Sequence, residues 1–150
     1  MLTDLLLAIA HHLLIFTLFG LLVTEMVMLQ PELPRSRLLR LARIDLAYGI
    51  VAGLIVIIGF SRVHFGLKGA EFYEHNPIFW AKIASFILVG IFSIPPTLRI
   101  LRWRRASDAD PTFRPDATAV AAAKRFMHAE GVAFIFILIF AAMMARGIGL

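Results

Sequence analysis

The chain has 150 residues, of which 60% are hydrophobic and 17% charged, and its formal net charge is +5. Soluble globular domains carry about 45–50% apolar residues, and a single core cannot bury so large an excess, so lipid must surround much of the chain. The absence of cysteine excludes disulfides, thiol catalysis and cysteine-ligated metal clusters. The basic residues lie in two loops beside apolar runs, which is typical of membrane topology signals and not of nucleic-acid binding.

Four apolar segments, taken in chain order, reach the ~20 residues that the hydrocarbon core of a bilayer requires. They run from Asp4 to Leu29, from Ile44 to Phe65, from Pro77 to Leu101 and from Thr118 to Ala145. The first lacks the basic start and the cleavage site of a signal peptide, so we expect it to be retained. No segment alternates as a β-strand does. We therefore predict an all-α integral membrane protein, a single domain of four transmembrane helices packed as a bundle.

Local signals mark several helix boundaries in this prediction. Asn76 is expected to cap the third helix, and Asp116 or Thr118 the fourth, because their side-chain oxygens can accept hydrogen bonds from free backbone N–H groups. Pro95 and Pro96, near the end of the third span, each remove a backbone donor, which predicts a kink there.

The placement of Lys and Arg predicts which way the helices run. Eleven of the 15 lie in or beside the two loops that follow the first and third spans, and four lie in the third span or on the opposite side. Cytoplasmic loops carry the positive excess. The N-terminus, the loop between the second and third spans and the C-terminus are therefore predicted to face the non-cytoplasmic side.

Gly49 and Gly53 form a G-x-x-x-G step in the second span. Such steps let the backbones of two helices approach closely. We expect this step to serve packing within the bundle; contact between two copies in a homodimer is the alternative.

Ionisable side chains inside a membrane cost ~2.5–3.5 kcal/mol on insertion scales and by default face the bundle interior. Here they form two layers. The outer layer contains His11, His12, Arg62, His64 and Lys82. The inner layer contains Glu25, Arg43, Asp45, Tyr48, Arg125, His128 and Glu130. At 100° per residue each helix carries one polar stripe that can point inward. On the fourth span that stripe consists of His128, Ile135, Ala142 and Arg146.

The outer layer supports two interpretations. Neutral imidazole is a good ligand for haem iron and other transition metals, so His11 or His12 with His64 can hold a b-type haem edge-on between spans, with Arg62 or Lys82 pairing with its propionates. In the alternative, His11 hydrogen-bonds a neighbouring helix and His64 lies in the headgroup layer. A proton relay through these histidines is a third possibility.

The inner layer also supports two interpretations. Glu25, Asp45 and Glu130 can form a path for protons or ions. In the alternative, which we favour, these carboxylates form a buried ion-pair network with neighbouring cations that fixes the relative depth of the helices. Those cations are Arg40, Arg43 and Arg125.

Several motifs together resemble a known family. They are the segment 43–49 (Arg-Ile-Asp-Leu-Ala-Tyr-Gly), Lys68-Gly69 followed by Phe72-Tyr73, the segment 93–97 (Ser-Ile-Pro-Pro-Thr), and the terminal segment 145–147 (Ala-Arg-Gly). In these the chain resembles the bacterial inner-membrane family called domain of unknown function 2214 over nearly its whole length. The resemblance implies four spans in the bacterial inner membrane and supplies no established activity.

A more distant resemblance, through a histidine in the first span and through Trp80 and Lys82 at the start of the third, is to the CopD-like group with its HemJ-type protoporphyrinogen oxidases. It implies a haem b site at His11 or His12 and redox chemistry on a porphyrin-sized substrate, with an unidentified redox partner. Three hypotheses follow: a membrane haem-binding or redox protein, a proton or metal-ion transport or channel-like protein, and a structural or accessory membrane subunit.

Overall fold

The computed structural model describes residues 2–65 and 74–149. In these two ranges the chain forms four long helices, α1 (Leu2–Met28), α2 (Arg35–Phe65), α3 (Pro77–Ala109) and α4 (Ala117–Ala145). Each is long and apolar enough to cross a membrane. The predicted all-α architecture with four candidate spans is therefore confirmed.

Two helices extend beyond the predicted spans at the arginine-rich end. Helix α2 begins at Arg35 instead of Ile44, and α3 continues to Ala109. The carbonyl oxygen of Pro34 accepts hydrogen bonds from the amides of Arg37 and Leu38, both at 3.0 Å, which starts α2. A search for apolar runs detects only the part of a helix that lies in hydrocarbon, so it misses helical turns whose side chains reach water or headgroups.

The caps of α3 and α4 are the predicted ones. Asn76 Oδ1 accepts a hydrogen bond from the amide of Ile78 at 2.8 Å, and Asp116 Oδ1 accepts one from the amide of Ala119 at 2.8 Å. Asp116, and not Thr118, caps α4. Asn76 is fully buried, and Gly149 packs against it so closely that a Cβ on Gly149 would lie 2.6 Å from Asn76 Oδ1.

The two arginine-rich loops meet at one end of the bundle. The amide of Glu32 donates to the carbonyl oxygen of Pro115 at 3.0 Å. Arg35 Nη2 forms an exposed salt bridge of 2.9 Å with Asp108 Oδ1, and Arg35 Nε donates to the carbonyl oxygen of Ser107 at 3.2 Å. These bonds hold the start of α2 against the end of α3.

Helix packing divides the bundle into two antiparallel hairpins. The most extensive contacts join α3 to α4 and α1 to α2, and fewer residues connect α2 with α3 or α1 with α4. The core between them is apolar, and its largest fully buried side chains include Leu18 and Leu22 of α1, Ile100 of α3 and Met127 of α4.

The Gly49–Gly53 step does not serve packing within the bundle, contrary to expectation. Both glycines are exposed, and a Cβ added at either would meet nothing within 4 Å. The buried face of α2 runs instead through Asp45, Tyr48 and Ile55. The homodimer alternative stays a prediction.

Pro95 and Pro96 lie inside α3, which stays helical through both. Neither residue has an amide hydrogen, so the carbonyl groups one turn earlier, at Ile91 and Phe92, lack their helical donors. Helix α3 therefore lacks two backbone hydrogen bonds here, next to the turn that contains Thr97.

Candidate functional site

Three buried carboxyl groups meet inside the bundle near its arginine-rich end. Glu25 of α1, Asp45 of α2 and Glu130 of α4 are 3%, 6% and 2% exposed, respectively. Each lies on the buried face of its helix, among apolar residues three, four or seven positions away, and this helical repeat turns the three side chains inward. Each carboxyl group lies within electrostatic range of the other two. We call these three residues the carboxyl cluster.

Two hydroxyl groups, one from α2 and one from α3, donate hydrogen bonds to the carboxyl cluster. The Tyr48 hydroxyl of α2 donates a hydrogen bond to Glu130 Oε1, and Thr97 Oγ1 of α3 donates one to Asp45 Oδ1 at 2.6 Å. Glu25 differs from both acids, because its Oε1 is buried and has no hydrogen-bond partner in the described part of the chain. The cluster and its donors thus draw side chains from all four helices.

No cation pairs with the carboxyl cluster in residues 2–65 and 74–149, where the one salt bridge joins Arg35 to Asp108. The predicted ion-pair network is therefore wrong. Arg40, Arg43 and Arg125 are exposed. Helical geometry explains this, since Arg43 lies about 200° around α2 from Asp45 and Arg125 about 140° around α4 from Glu130. Long arginine side chains on such faces reach headgroups or water instead.

The predicted polar stripe of α4 also faces outward. His128, Ile135, Ala142 and Arg146 are all exposed, and the His128 ring nitrogen Nδ1 lies 2.7 Å from the carbonyl oxygen of Lys124 on its own helix. The buried face of α4 runs instead through Ala123, Met127, Glu130, Phe134 and Ile137. Of the seven residues predicted for the inner layer, the structure brings together Glu25, Asp45, Tyr48 and Glu130.

Three buried carboxyl groups that act electrostatically on one another, with no paired cation in residues 2–65 and 74–149, are costly to ionise together. Like charges repel strongly in a medium of low dielectric constant, and an ionised carboxylate that is neither paired nor solvated is very costly to bury. A proton held by one carboxyl removes the repulsion that it exerts on the other two. The arrangement can therefore bind and release protons.

Asp45 also reaches a groove between α2 and α3. The groove has a volume of about 580 Å³, and its lining includes the polar residues Asp45, Tyr48, Ser93 and Thr97. Thr97 was not predicted as a site residue. A signal for it was available, because it follows two prolines that open the backbone of α3 and lies one turn after Ser93.

The outer layer is only partly assembled. His11, Arg62 and Lys82 are half-buried. Arg62, Lys82 and His12 act electrostatically on His11, and His64 is not among these groups. His11 packs against Gly59 of α2, where an added Cβ would lie 3.4 Å from its Cε1.

The remaining outer histidines point away from this contact. His12 is exposed, and its Nδ1 lies 2.6 Å from the carbonyl oxygen of Ala8. His64 is exposed in the last turn of α2, so these contacts do not bring the predicted His11–His64 pair together. No group of three or more His, Asp or Glu residues suited to a metal ion occurs in the described ranges. Haem b binding stays a prediction. Lys68 and Phe72-Tyr73 of the family motif lie outside the described residues.

Comparison with known proteins assigns the chain to a family. A family model described as "Predicted membrane protein (DUF2214)" matches residues 3–149. Comparison with curated proteins and with solved structures gives no significant match.

Proposed function

The chain belongs to this family of membrane proteins, and on that premise we propose that it is a transport protein that exchanges protons at the carboxyl cluster. The observation that carries the proposal is the burial of Glu25, Asp45 and Glu130 together with no paired cation in the described ranges. Ionisable residues inside a membrane are functional-site candidates by default because they are costly to keep there.

The hydrogen bonds at the cluster support a proton-exchange role. Glu130 and Asp45 each accept a bond from a hydroxyl group, which stabilises an ionised oxygen, whereas Glu25 Oε1 has no described partner. The environments of the three acids therefore differ, and the cluster releases its protons in separate, coupled steps. A site with a partly protonated resting state can take up or release a proton without unfolding the bundle.

The charge distribution indicates how far the cluster lies from each side of the membrane. We place the protein in the bacterial inner membrane with both termini outside, since the arginine-rich loops favour the cytoplasmic side. In this orientation Glu25, three residues before the end of α1 at Met28, lies in the cytoplasmic half. His11 is fourteen positions earlier, which corresponds to about 21 Å along a helix. Protons reach the cluster over a short distance from the cytoplasm and a long one from outside.

Infrared spectroscopy tests proton binding directly. At pH 7 exposed Asp and Glu are ionised, with pKa values of about 4, so absorption by a protonated carboxyl C=O group reports a buried acid. We expect such a band in the purified protein, its decrease as the pH rises, and its loss or shift in Glu25→Gln, Asp45→Asn or Glu130→Gln. Asp108→Asn, which alters an exposed carboxylate, leaves the band unchanged.

The same variants test transport in proteoliposomes that carry a pH-sensitive dye. Under an imposed pH gradient, each cluster variant is expected to slow proton flux at least about tenfold, which is more than 1.4 kcal/mol in barrier height. The Asp108→Asn variant retains the wild-type rate. A protein with no protonated-carboxyl band at pH 7, or one whose flux survives all three substitutions, does not exchange protons at this cluster.

Haem binding at the outer layer is a second candidate function. It is supported by His11 Nδ1, which is buried without a described hydrogen-bond partner, and by two half-buried cations beside it, Arg62 and Lys82, that suit propionate groups. After expression with added haem, a Soret band in the visible spectrum of the purified protein is expected to disappear in His11→Ala and to remain in His128→Ala. Wild-type protein without a Soret band would eliminate this candidate.

A further inference from the structure

The groove between α2 and α3 lies at one of the two boundaries between the hairpins. Its volume of about 580 Å³ falls within the ~300–1,000 Å³ typical of small-molecule sites. Leu46, Ile94 and Leu98 line it and are 63%, 54% and 46% exposed. In a membrane, large apolar side chains exposed to this degree contact acyl chains, so the groove is reached from the bilayer.

The floor of the groove is polar and acidic. Asp45 and Thr97 both line it. Because Thr97 donates to Asp45 Oδ1, Oδ2 is the carboxyl oxygen left available to a ligand. Behind Asp45 lie Glu25 and Glu130, each within electrostatic range of it. Glu25 is 3% exposed and has an unpartnered oxygen in the described chain, so hydrogen bonding does not satisfy this acid behind the floor.

One cationic side chain lines the groove. Arg104 is exposed and lies seven residues beyond Thr97 on α3, about 10 Å toward the arginine-rich end. It stands at the rim, where it can contact lipid phosphate, and forms no salt bridge with the floor. The groove therefore has apolar walls, an acidic floor and a basic rim.

We propose that this groove binds a lipophilic organic cation, which enters from the bilayer and displaces a proton from the carboxyl cluster. The inference rests on the proposed function and names the substrate class of the same site. Apolar walls match the body of such a ligand, and Asp45 matches its positive charge. Binding is an exchange in which one monovalent cation enters as one proton leaves, so the charge of the site is unchanged.

Other occupants fit the groove less well. An acyl chain fills the apolar walls but leaves Asp45 without a counter-charge. A second copy of the protein, docked symmetrically through this face, brings a second Asp45 toward the first, and like charges at short distance repel. A lipophilic anion meets the Asp45 carboxyl at the floor, with Glu25 and Glu130 behind it. Charge complementarity thus selects the cation.

The exchange predicts how cation affinity depends on pH. The titratable and charged groups around the ligand are Glu25 of α1, Asp45 and Tyr48 of α2, Arg104 of α3 and Glu130 of α4. Of these groups, the carboxyls are the ones for which a proton competes with the cation, so affinity for the cation rises as the pH rises.

A pair of ions of nearly the same shape and opposite charge tests the proposal. Tetraphenylphosphonium is expected to bind the purified, detergent-solubilised protein, to bind more tightly at pH 8 than at pH 6, and to release protons into weakly buffered solution. Tetraphenylborate is expected not to bind. Asp45→Asn weakens tetraphenylphosphonium binding at least about tenfold, or 1.4 kcal/mol. A neutral asparagine is close in size to aspartate, and the elution volume on size exclusion checks that the fold persists.

Two leucine substitutions on α2 distinguish the contribution of the groove to cation binding from that of the carboxyl cluster. Gly49 lines the groove, whereas Gly53, one turn later, does not, and an added Cβ meets nothing within 4 Å at either position. Gly49→Leu is expected to fill the groove, to weaken tetraphenylphosphonium binding at least about tenfold, and to leave the protonated-carboxyl infrared band in place. Gly53→Leu adds the same side chain outside the groove and is expected to bind as the wild type does.

The outcomes distinguish this inference from the proposed function. The groove site is wrong, and proton exchange survives, if the infrared band is present but tetraphenylphosphonium does not bind or binds no better than tetraphenylborate. The same conclusion follows if Gly49→Leu and Gly53→Leu change the affinity for tetraphenylphosphonium equally. If the band is absent, the proposed function fails. A concentration-dependent dimer that Gly49→Leu abolishes would assign the groove to a second copy and overturn the cation site.

Discussion

Replacing Glu25 with methionine is expected to stabilise the protein against thermal unfolding in detergent by about 1–3 kcal/mol, the cost of a buried polar group without its hydrogen bond. Glu25 is almost fully buried, its Oε1 has no described partner, and two further acids lie nearby. Methionine has a similar length and fits an apolar interior. The same variant is expected to lose proton exchange, because the acid is gone.

Reversible unfolding, followed by circular dichroism against temperature or denaturant, measures the effect. Glu32→Met is the matched control, since Glu32 is exposed in the loop after α1, and its replacement is expected to change stability little. A fall in stability in Glu25→Met would mean that Glu25 has a stabilising partner. It would favour the hypothesis that the polar residues only organise the bundle, as in a structural or accessory subunit.

Breaking the bond between Tyr48 and Glu130 is expected to have the opposite effect. Tyr48→Phe removes the donor and leaves the nearly fully buried Glu130 carboxyl unpartnered, which costs about 1–3 kcal/mol of unfolding free energy. Glu130→Leu leaves the Tyr48 hydroxyl unpartnered and is expected to cost a similar amount. The double variant is expected to lose less than the two single losses combined, because it leaves no orphaned group.

A double-mutant cycle on these three variants gives the coupling energy, which for directly bonded groups lies at about 0.5–3 kcal/mol. Thr24→Val is a control for loss of a hydroxyl group, since Thr24 Oγ1 is exposed and bonds only to the Gly20 carbonyl of its own helix. Additive single losses would mean that the hydroxyl and the carboxyl do not act on each other in the folded protein.

Composition and hydropathy were sufficient to predict the four helices, because a bilayer imposes a minimum length on each apolar run. The caps at Asn76 and Asp116 were predictable for a similar reason, since capping depends on one side chain and the amides of the next turn. Asp45 and Tyr48 lie three positions apart, so helical phase alone places them on one face of α2. These are local properties of the chain.

The face of each helix that turns inward was harder to predict. On α4 the lipid-facing and core-facing sides are both apolar, so hydrophobic periodicity does not distinguish the face of His128 from the face of Glu130. The cations predicted to neutralise the cluster lie on other faces, where Arg43 and Arg125 are exposed. The Gly49–Gly53 step has the spacing of a helix-packing motif. Whether another helix packs against it depends on the arrangement of α2 and α3, which the spacing of residues within one helix does not show.

The hydrogen bonds made by Tyr48 and Thr97 have a mechanical consequence. Tyr48 and Asp45 belong to the first hairpin, whereas Glu130 and Thr97 belong to the second, so both bonds cross from one half of the protein to the other. Each ends on an acid of the proposed exchange site. Protonation or ionisation of these acids therefore also changes the strength of the hydrogen bonds that join the two hairpins. Proton exchange and the association of the hairpins depend on the same carboxyl oxygens.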